Sequence, residues 1–380
     1  MSIKISLIVP VYNCEKYLEK CLESVMKQDL AGIEVIIIND GSEDNSLEIV
    51  EGYKSRFENI YIINQENKGQ GAARNLGIKI AKGEYIGFID ADDYIDYNMM
   101  SSMYYKAISN DYDIVTCGTK IVNEDGNIIK EISIVDSGQL NSEEAILSII
   151  KGKNTFAVWN KIFKRKLFIE NNIFFKEGCY YEDIYVIIKA FSCAKSIYNF
   201  KESFYYYVQH DKSTTKQKKV KYYNDLLMEV ARTKEYINDK YPKNKLINIS
   251  FENIQTLFLL QFISELNFNI NIENILKQKL RDKEEIIIFG SSQGGRIVKR
   301  YIEESGFSVV AFCDNNPDLW GKEINNIPII NCDNLADDKY KSYRIIIASM
   351  YFVDIYNQLE QCNIEDRIIN FSLIEELNIL

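Results

Sequence analysis

Apolar runs alternating with helical-period segments open the chain. Ile5–Val9 is uninterrupted apolar sequence, the pattern of a strand buried on both faces of a parallel sheet. Cys14, Tyr17, Leu18, Cys21, Leu22 and Val25 then recur at helical spacing, so one face of that helix packs on the sheet. Glu34–Ile38 repeats the strand pattern and ends in Asn39-Asp40-Gly41-Ser42. A short helix from Ser46, a strand over Ile60–Asn64, a helix over Gln70–Ala81 and a strand over Tyr85–Asp90 follow. This alternation predicts a parallel sheet with right-handed crossovers and ligands at its carboxyl edge.

The pattern then loosens. Asp96–Asn110, Asn141–Lys151 and Ile184–Ala194 read as helices. Ile114–Gly118, Ser196–Phe200 and Phe204–Val208 read as strands, with a hairpin across Asp125-Gly126. The stretch from Val220 to Leu280 is helical in pattern, broken at Tyr241-Pro242. Its apolar residues, Phe251, Leu257, Phe258, Leu260 and Phe262, read as core. A fresh α/β unit starts at Glu285, with strands at Ile286–Phe289, Ser308–Phe312, Arg344–Ala348 and Arg367–Asn370, and a helix over Arg296–Ser305. The expected division is a domain over 1–215, a helical connector over 216–283 and a small Rossmann-like α/β domain over 284–380.

Composition narrows the class. At 380 residues, 46% hydrophobic and 26% charged, the chain is an ordinary globular one, long enough for two cores. A net charge of −10 argues against a nucleic-acid partner. Eight cysteines with no C-x-x-C pair read as reduced thiols in a cytoplasmic protein. The N-terminus is too short and broken for a signal sequence, and no apolar stretch is long enough to span a bilayer. Any membrane contact is expected to be peripheral, at the inner face of the cell membrane; a homodimer through the helical stretch stays open.

The chemistry gathers at Asp90-Ala91-Asp92-Asp93. Side chains at i and i+2 of an extended segment point the same way, so Asp90 and Asp92 can offer two carboxylates to one hard cation. Mg²⁺ or Mn²⁺ favours that set, with substrate phosphates completing the shell.

With Ile8-Val-Pro-Val-Tyr-Asn13, Asn39-Asp-Gly-Ser42, Gly69-Gln-Gly-Ala-Ala-Arg-Asn75, Trp159-Asn-Lys161 and Glu182-Asp183 in this order, the first domain resembles a family-2 inverting glycosyltransferase of the GT-A fold. The resemblance implies a mixed, mostly parallel sheet and transfer of a sugar from a nucleotide diphosphate, a UDP-sugar, to an acceptor hydroxyl. It makes Asp92 the direct metal ligand, Asp90 a ribose or metal-water contact, and Asp93 a supporting residue or helix cap. Pro10, Val11, Tyr12 and Asn13 would line the base slot, Ala91 would sit beside the donor, and Asp40 would accept from the base. Lys68 and Gly71 would approach phosphate; Arg74 would do so too, or hold the acidic turn as an ion pair. Asp183, with Glu182 second, would be the general base. Trp159 would stack on a sugar, and Lys161 would steady acceptor or phosphate. His210, before a lysine run, would contact metal or phosphate; the run itself would serve diphosphate or anionic lipid.

By the same resemblance the acceptor would be a glycan, a lipid-linked sugar or a protein of a bacterial surface pathway, which the sequence does not identify. In the second domain Gly290-x-x-x-x-Gly295 and Asp314 follow dinucleotide-fold logic, but Ser292 replaces the middle glycine. That domain resembles nucleotide- or nucleotide-sugar-binding Rossmann domains, and whether it binds a ligand stays open. Two rivals stand beside the transferase: a nucleotidylyltransferase, and a non-catalytic sugar-nucleotide sensor or scaffold.

Overall fold

The computed structural model describes residues 2–210, 220–265, 277, 280, 284–349 and 351–369. The chain divides into two compact units, Met1–Ile149 with Lys153–Glu229, and Ile150–Gly152 with Val230–Leu380.

The first unit begins β1 (Ile5–Val11), α1 (Glu15–Met26), β2 (Ile33–Asp40), α2 (Ser46–Lys54), β3 (Ile60–Gln65), α3 (Gln70–Ile80) and β4 (Tyr85–Phe88). These strands pair in parallel in the order β3-β2-β1-β4. Strand alternation explains the layering. Ile5, Leu7 and Val9 join one core with Leu18, Cys21, Leu22 and Val25 of α1. Ile8 faces the other way, against Gly77 of α3.

The remainder comprises β5 (Tyr94–Ile95), α4 (Met99–Ser109), β6 (Ile114–Val122), β7 (Ile128–Ile132), β8 (Gly138–Leu140), α5 (Ser142–Ile150), β9 (Lys161–Lys164), α6 (Arg165–Glu170), α7 (Asp183–Cys193) and β10 (Ile197–Val208). Among the described residues the sheet has ten strands and is mixed, continuing β4-β9-β6-β10-β5. The short β9 enters antiparallel between β4 and β6, a pairing that local pattern does not announce. The two segments at 196–200 and 204–208 prove to be one strand, β10, with a register irregularity between Asn199 and Ser203. The helix expected from Asp96 starts at Met99, because Tyr94 and Ile95 pair with β10 first.

Two long helices, α8 (Val220–Lys240) and α9 (Lys245–Glu265), occupy the helical stretch. Phe251 is buried there; the side chains of Phe258, Leu260 and Phe262 lie outside the described residues, as do Lys212, Lys216, Lys218 and Lys219.

The second unit holds β11 (Glu285–Phe289), α10 (Gln293–Glu304), β12 (Ser308–Cys313), β13 (Glu323–Ile324), β14 (Ile327–Ile330), β15 (Arg344–Ile347) and α11 (Phe352–Gln361). Its sheet runs β13-β14-β12-β11-β15, and α9 packs against α10 and α11. The strand expected at Arg367–Asn370 reduces to a single bridge between Ile345 and Ile368, because a 3₁₀ turn occupies Glu365–Arg367; Asn370 is outside the described residues. The turn after β11 is closed by Ser291, whose N–H donates to Asp314 at 2.9 Å. Its tightness requires glycine: a Cβ on Gly295 would stand 1.9 Å from the Gly290 carbonyl oxygen.

Candidate active site

The acidic turn follows β4, closed by the Asp93 N–H donating to the Asp90 carbonyl at 3.0 Å. Its three carboxylates serve three different partners. Asp93 points inward: it accepts from the Tyr205 hydroxyl at 2.8 Å and the Val208 N–H at 2.7 Å. Burial pushes its carboxyl well above the ordinary range. Asp93 thus fastens β10 to the turn and caps no helix. Trp159 stacks on Tyr205 with ring centres 4.3 Å apart and on Tyr207 at 5.9 Å, so it braces that strand.

Asp90 accepts from Arg74 at 2.8 Å and from Gln70 at 3.0 Å. Asp92 is the most open of the three, with its side chain 34% exposed, and it lies 2.9 Å from Nε2 of His210. The imidazole stacks on Tyr17 with 4.6 Å between ring centres. Asp90, Asp92 and His210 do not form a cage: among the described residues no three His, Cys, Asp or Glu side chains are arranged to hold a metal ion. The donor set is nonetheless hard oxygen plus one imidazole, which suits Mg²⁺ or Mn²⁺ with the remaining positions supplied from outside the protein.

Gly69–Asn75 forms an interface with residues 175–182. Gly71 lies where a Cβ would meet the Lys176 carbonyl at 2.7 Å, so its bareness admits protein backbone where phosphate was expected. Asn75 exchanges two hydrogen bonds with the Phe175 backbone, at 2.9 and 2.8 Å. Arg74, 3% exposed, donates to Glu182 at 2.6 Å and to Asp90 at 2.8 Å. Of the two roles open to it, the structure shows the ion pair. Lys68 is exposed, and its backbone N–H is what engages Asp40.

Glu182 and Asp183 start α7. One guanidinium faces three carboxylates, Asp90, Glu182 and Asp183, which it cannot fully neutralise. Burial, opposed by Arg74, lifts Glu182 to about 7 and Asp183 to about 6. Glu182 is buried and held by Arg74; Asp183 is only half-buried. A half-open carboxylate of that acidity can take a proton near neutral pH.

Several residues stand differently from expectation. Asp40 is 3% exposed, and its carboxylate accepts from Gln65 Nε2 and from the N–H groups of Lys68 and Gly69, at 2.7, 2.9 and 2.8 Å. It therefore holds the loop before α3, with about one lone-pair direction left over. Lys161, expected at acceptor or phosphate, is fully buried. Its Nζ donates to Thr155, Ala157 and Asn160 oxygens between 2.7 and 3.2 Å. Burial pulls it down to about 7, while these acceptors favour the ammonium. Val11 and Ala91 are core residues, so only their backbone can face a ligand. Pro10 is half-buried, Tyr12 exposed, and Asn13 turns the chain at φ 47° and accepts from the Glu43 N–H at 2.8 Å. A groove of about 610 Å³ opens here, lined among others by Asn13, Tyr17, Glu43, Asp44 and Glu124. Tyr17, Gln70 and Tyr205 escaped sequence reasoning, because their partners lie on elements distant in the chain.

The model of glycosyl transferase family 2 matches residues 6–171, and that of the C2185-like N-terminal family matches residues 282–369. The glycosyltransferase GlyG of Streptococcus pneumoniae is 34% identical over 226 residues, 54% of this chain and 71% of GlyG. The chain belongs to glycosyl transferase family 2. EpsJ, a glycosyltransferase of Bacillus subtilis, is 35% identical over 215 residues, 56% of this chain; the match spans 62% of EpsJ's own length. The crystal structure of S. aureus TarS 1-349 in complex with UDP has a TM-score of 0.53 at 25% identity, covering 74% of this chain and 76% of that one. The fold is that of a GT-A α/β domain with a separate small C-terminal α/β domain.

Proposed function

We propose that the chain is a metal-dependent inverting glycosyltransferase that moves a sugar from a UDP-sugar to an acceptor hydroxyl in bacterial surface-glycan or glycoprotein synthesis. The observation that carries this reading is the division of labour among buried carboxylates. Arg74 holds Asp90 and Glu182, leaving Asp92 and Asp183 accessible, one on each side of that pair in role. TarS, a structural relative, binds UDP, which favours a uridine donor.

Asp92 and His210 would hold Mn²⁺ or Mg²⁺, with Asp90 behind them; the cation supplies positive charge against the diphosphate leaving group. Asp183 takes the proton from the acceptor hydroxyl as its oxygen attacks the anomeric carbon. The sugar–phosphate bond breaks on the opposite face, UDP carries away the electron pair, and the configuration inverts. Glu182 keeps Arg74 in place and leaves the proton to its neighbour. The exposed Tyr12 and the Asn13 turn receive the base, and Asp40 shapes the loop beneath it.

Asp92 and His210 serve the donor side, so transfer is expected to need an acceptor hydroxyl of a glycan, lipid-linked sugar or protein. Among the described residues no helix is long and apolar enough to cross a membrane. A panel of UDP-sugars assayed for Mn²⁺-dependent UDP release tests the reading. Release with one donor, lost on chelation, supports it; tight UDP binding without turnover across donors and acceptors favours the sensor instead.

A further inference from the structure

We infer that the first turns of α8 position the general base, with Asp225 acting on Asp183 through Tyr180 and Tyr181. The inference rests on the transferase reading and adds to it a positioning residue far outside the sequence motifs.

The loop from Gly178 to Glu182 leads directly into α7, where Asp183 is the first helical residue. Tyr181 sits at φ 60°, in the left-handed region that a tyrosine rarely enters. Its carbonyl accepts from the Ile184 N–H at 3.1 Å, and this turn sets the direction from which α7 begins. A residue in that region holds its conformation only when its surroundings impose it. Beside the hold of Arg74 on Glu182, part of the surroundings here comes from α8. The Asp225 carboxylate accepts from the Tyr180 N–H at 3.0 Å. Lys221 Nζ donates to the Gly178 carbonyl at 3.2 Å. The Tyr222 ring meets that of Tyr180 edge-on, with 4.1 Å between centres. One turn beyond Asp225, Glu229 lies 3.7 Å from Lys176, on the segment leading into the same loop.

These contacts share one geometry: a single helix face grips the segment before Asp183 at two backbone points, the Gly178 carbonyl and the Tyr180 N–H, and at the side chains of Tyr180 and Lys176. The Tyr180 amide is the closest of them to the strained residue. Without the Asp225 acceptor the turn can relax toward ordinary φ, carrying the first residue of α7 off the line of attack. Misplacement of a base by a fraction of an ångström to one ångström lowers turnover while leaving the nucleotide contacts alone.

The test compares wild type, Asp225→Ala and Asp225→Asn with Mn²⁺ and the UDP-sugar found productive. It reads kcat, donor KM and UDP affinity by calorimetry. Asp225→Ala should lower kcat about tenfold or more, with donor KM and UDP affinity within about twofold of wild type. Asp225→Asn should recover most of the loss, because the amide oxygen still accepts from Tyr180. Lys221→Met, which removes the independent hold on Gly178, should give a weaker version of the same split. It stands in if Asp225→Ala does not fold. Unchanged kcat in an active enzyme, or a loss of UDP affinity matching the loss of kcat, overturns the inference alone. A wild-type protein that binds UDP but turns nothing over defeats the transferase reading and this inference with it.

Discussion

Arg74 and Glu182, 108 positions apart in the chain, meet at 2.6 Å in a site where the guanidinium is 3% exposed. The same guanidinium reaches Asp90 at 2.8 Å, so one cation ties α3, the acidic turn and the start of α7 together.

Removing that cation leaves the buried Glu182 and the partly buried Asp90 without their counter-ion, with Gln70 still donating to Asp90. Arg74→Ala should destabilise the protein by about 3–5 kcal/mol, read as the shift in a urea unfolding curve. Arg74→Lys should recover only part, since an ammonium cannot serve two carboxylates with the same planar fork. Stability of Arg74→Ala close to wild type would mean that the pair contributes nothing net.

Asp92 is the most open carboxylate of the acidic turn, so its removal should spare the fold. Asp92→Ala should melt within a few degrees of wild type and lose UDP-sugar turnover by about 100-fold or more. Chelation should mimic it, and added Mn²⁺ should rescue wild type only. Turnover near wild type in this variant would withdraw Asp92 from the metal.

As the proposed base, Asp183 should set the acid side of the rate profile. The folded carboxyl lies at about 6, above its ordinary 3.8, so kcat/KM should rise with pH through about 6 as this carboxyl deprotonates. Stability runs the opposite way. Asp183 and Glu182 bind protons more tightly folded than unfolded, so their contribution is full below about pH 4 and declines as pH rises through 6 and 7. Asp183→Asn should abolish turnover by about 100-fold or more and flatten part of the pH dependence of the urea midpoint. Loss of turnover in Glu182→Gln alone, with Asp183→Asn active, would transfer the role to its neighbour.

Gly295 offers a test of the second unit. A methyl there would stand 1.9 Å from the Gly290 oxygen, backbone that cannot give way cheaply. Gly295→Ala should disrupt the turn after β11, lowering the temperature at which this unit unfolds while Mn²⁺-dependent UDP binding persists. Calorimetric melting with and without UDP distinguishes the two effects; a melt identical to wild type would show that the turn rearranges freely.

Strands β1, β2 and β4 were legible because each carries a buried apolar run, and the edge strand β3 because Ile60–Ile63 is apolar although only Ile60 is buried; a helix of the right period follows each of the first three. β9 was not: Lys161–Lys164 is two apolar residues between two lysines, with no strand period over four positions, and only its placement between β4 and β6 makes it a strand. The motif positions were equally visible, but their partners were not. Gly71 fits a phosphate loop by composition, and tertiary packing gives it, with Asn75, to residues 175 and 176 instead. Lys161 read as an acceptor- or phosphate-side charge, since nothing local reveals that the chain from Thr155 to Asn160 folds its oxygens around Nζ.

The bond between Asp93 and Val208 spans 115 positions, and its neighbour from Tyr205 spans 112. A ribosome adding residues at its ordinary pace releases the acidic turn on the order of ten seconds before those partners exist. Through that interval Arg74 and Gln70, the partners of Asp90, already exist, while those that bury Asp93 do not. Competence for chemistry therefore arrives late in translation, when β10 docks.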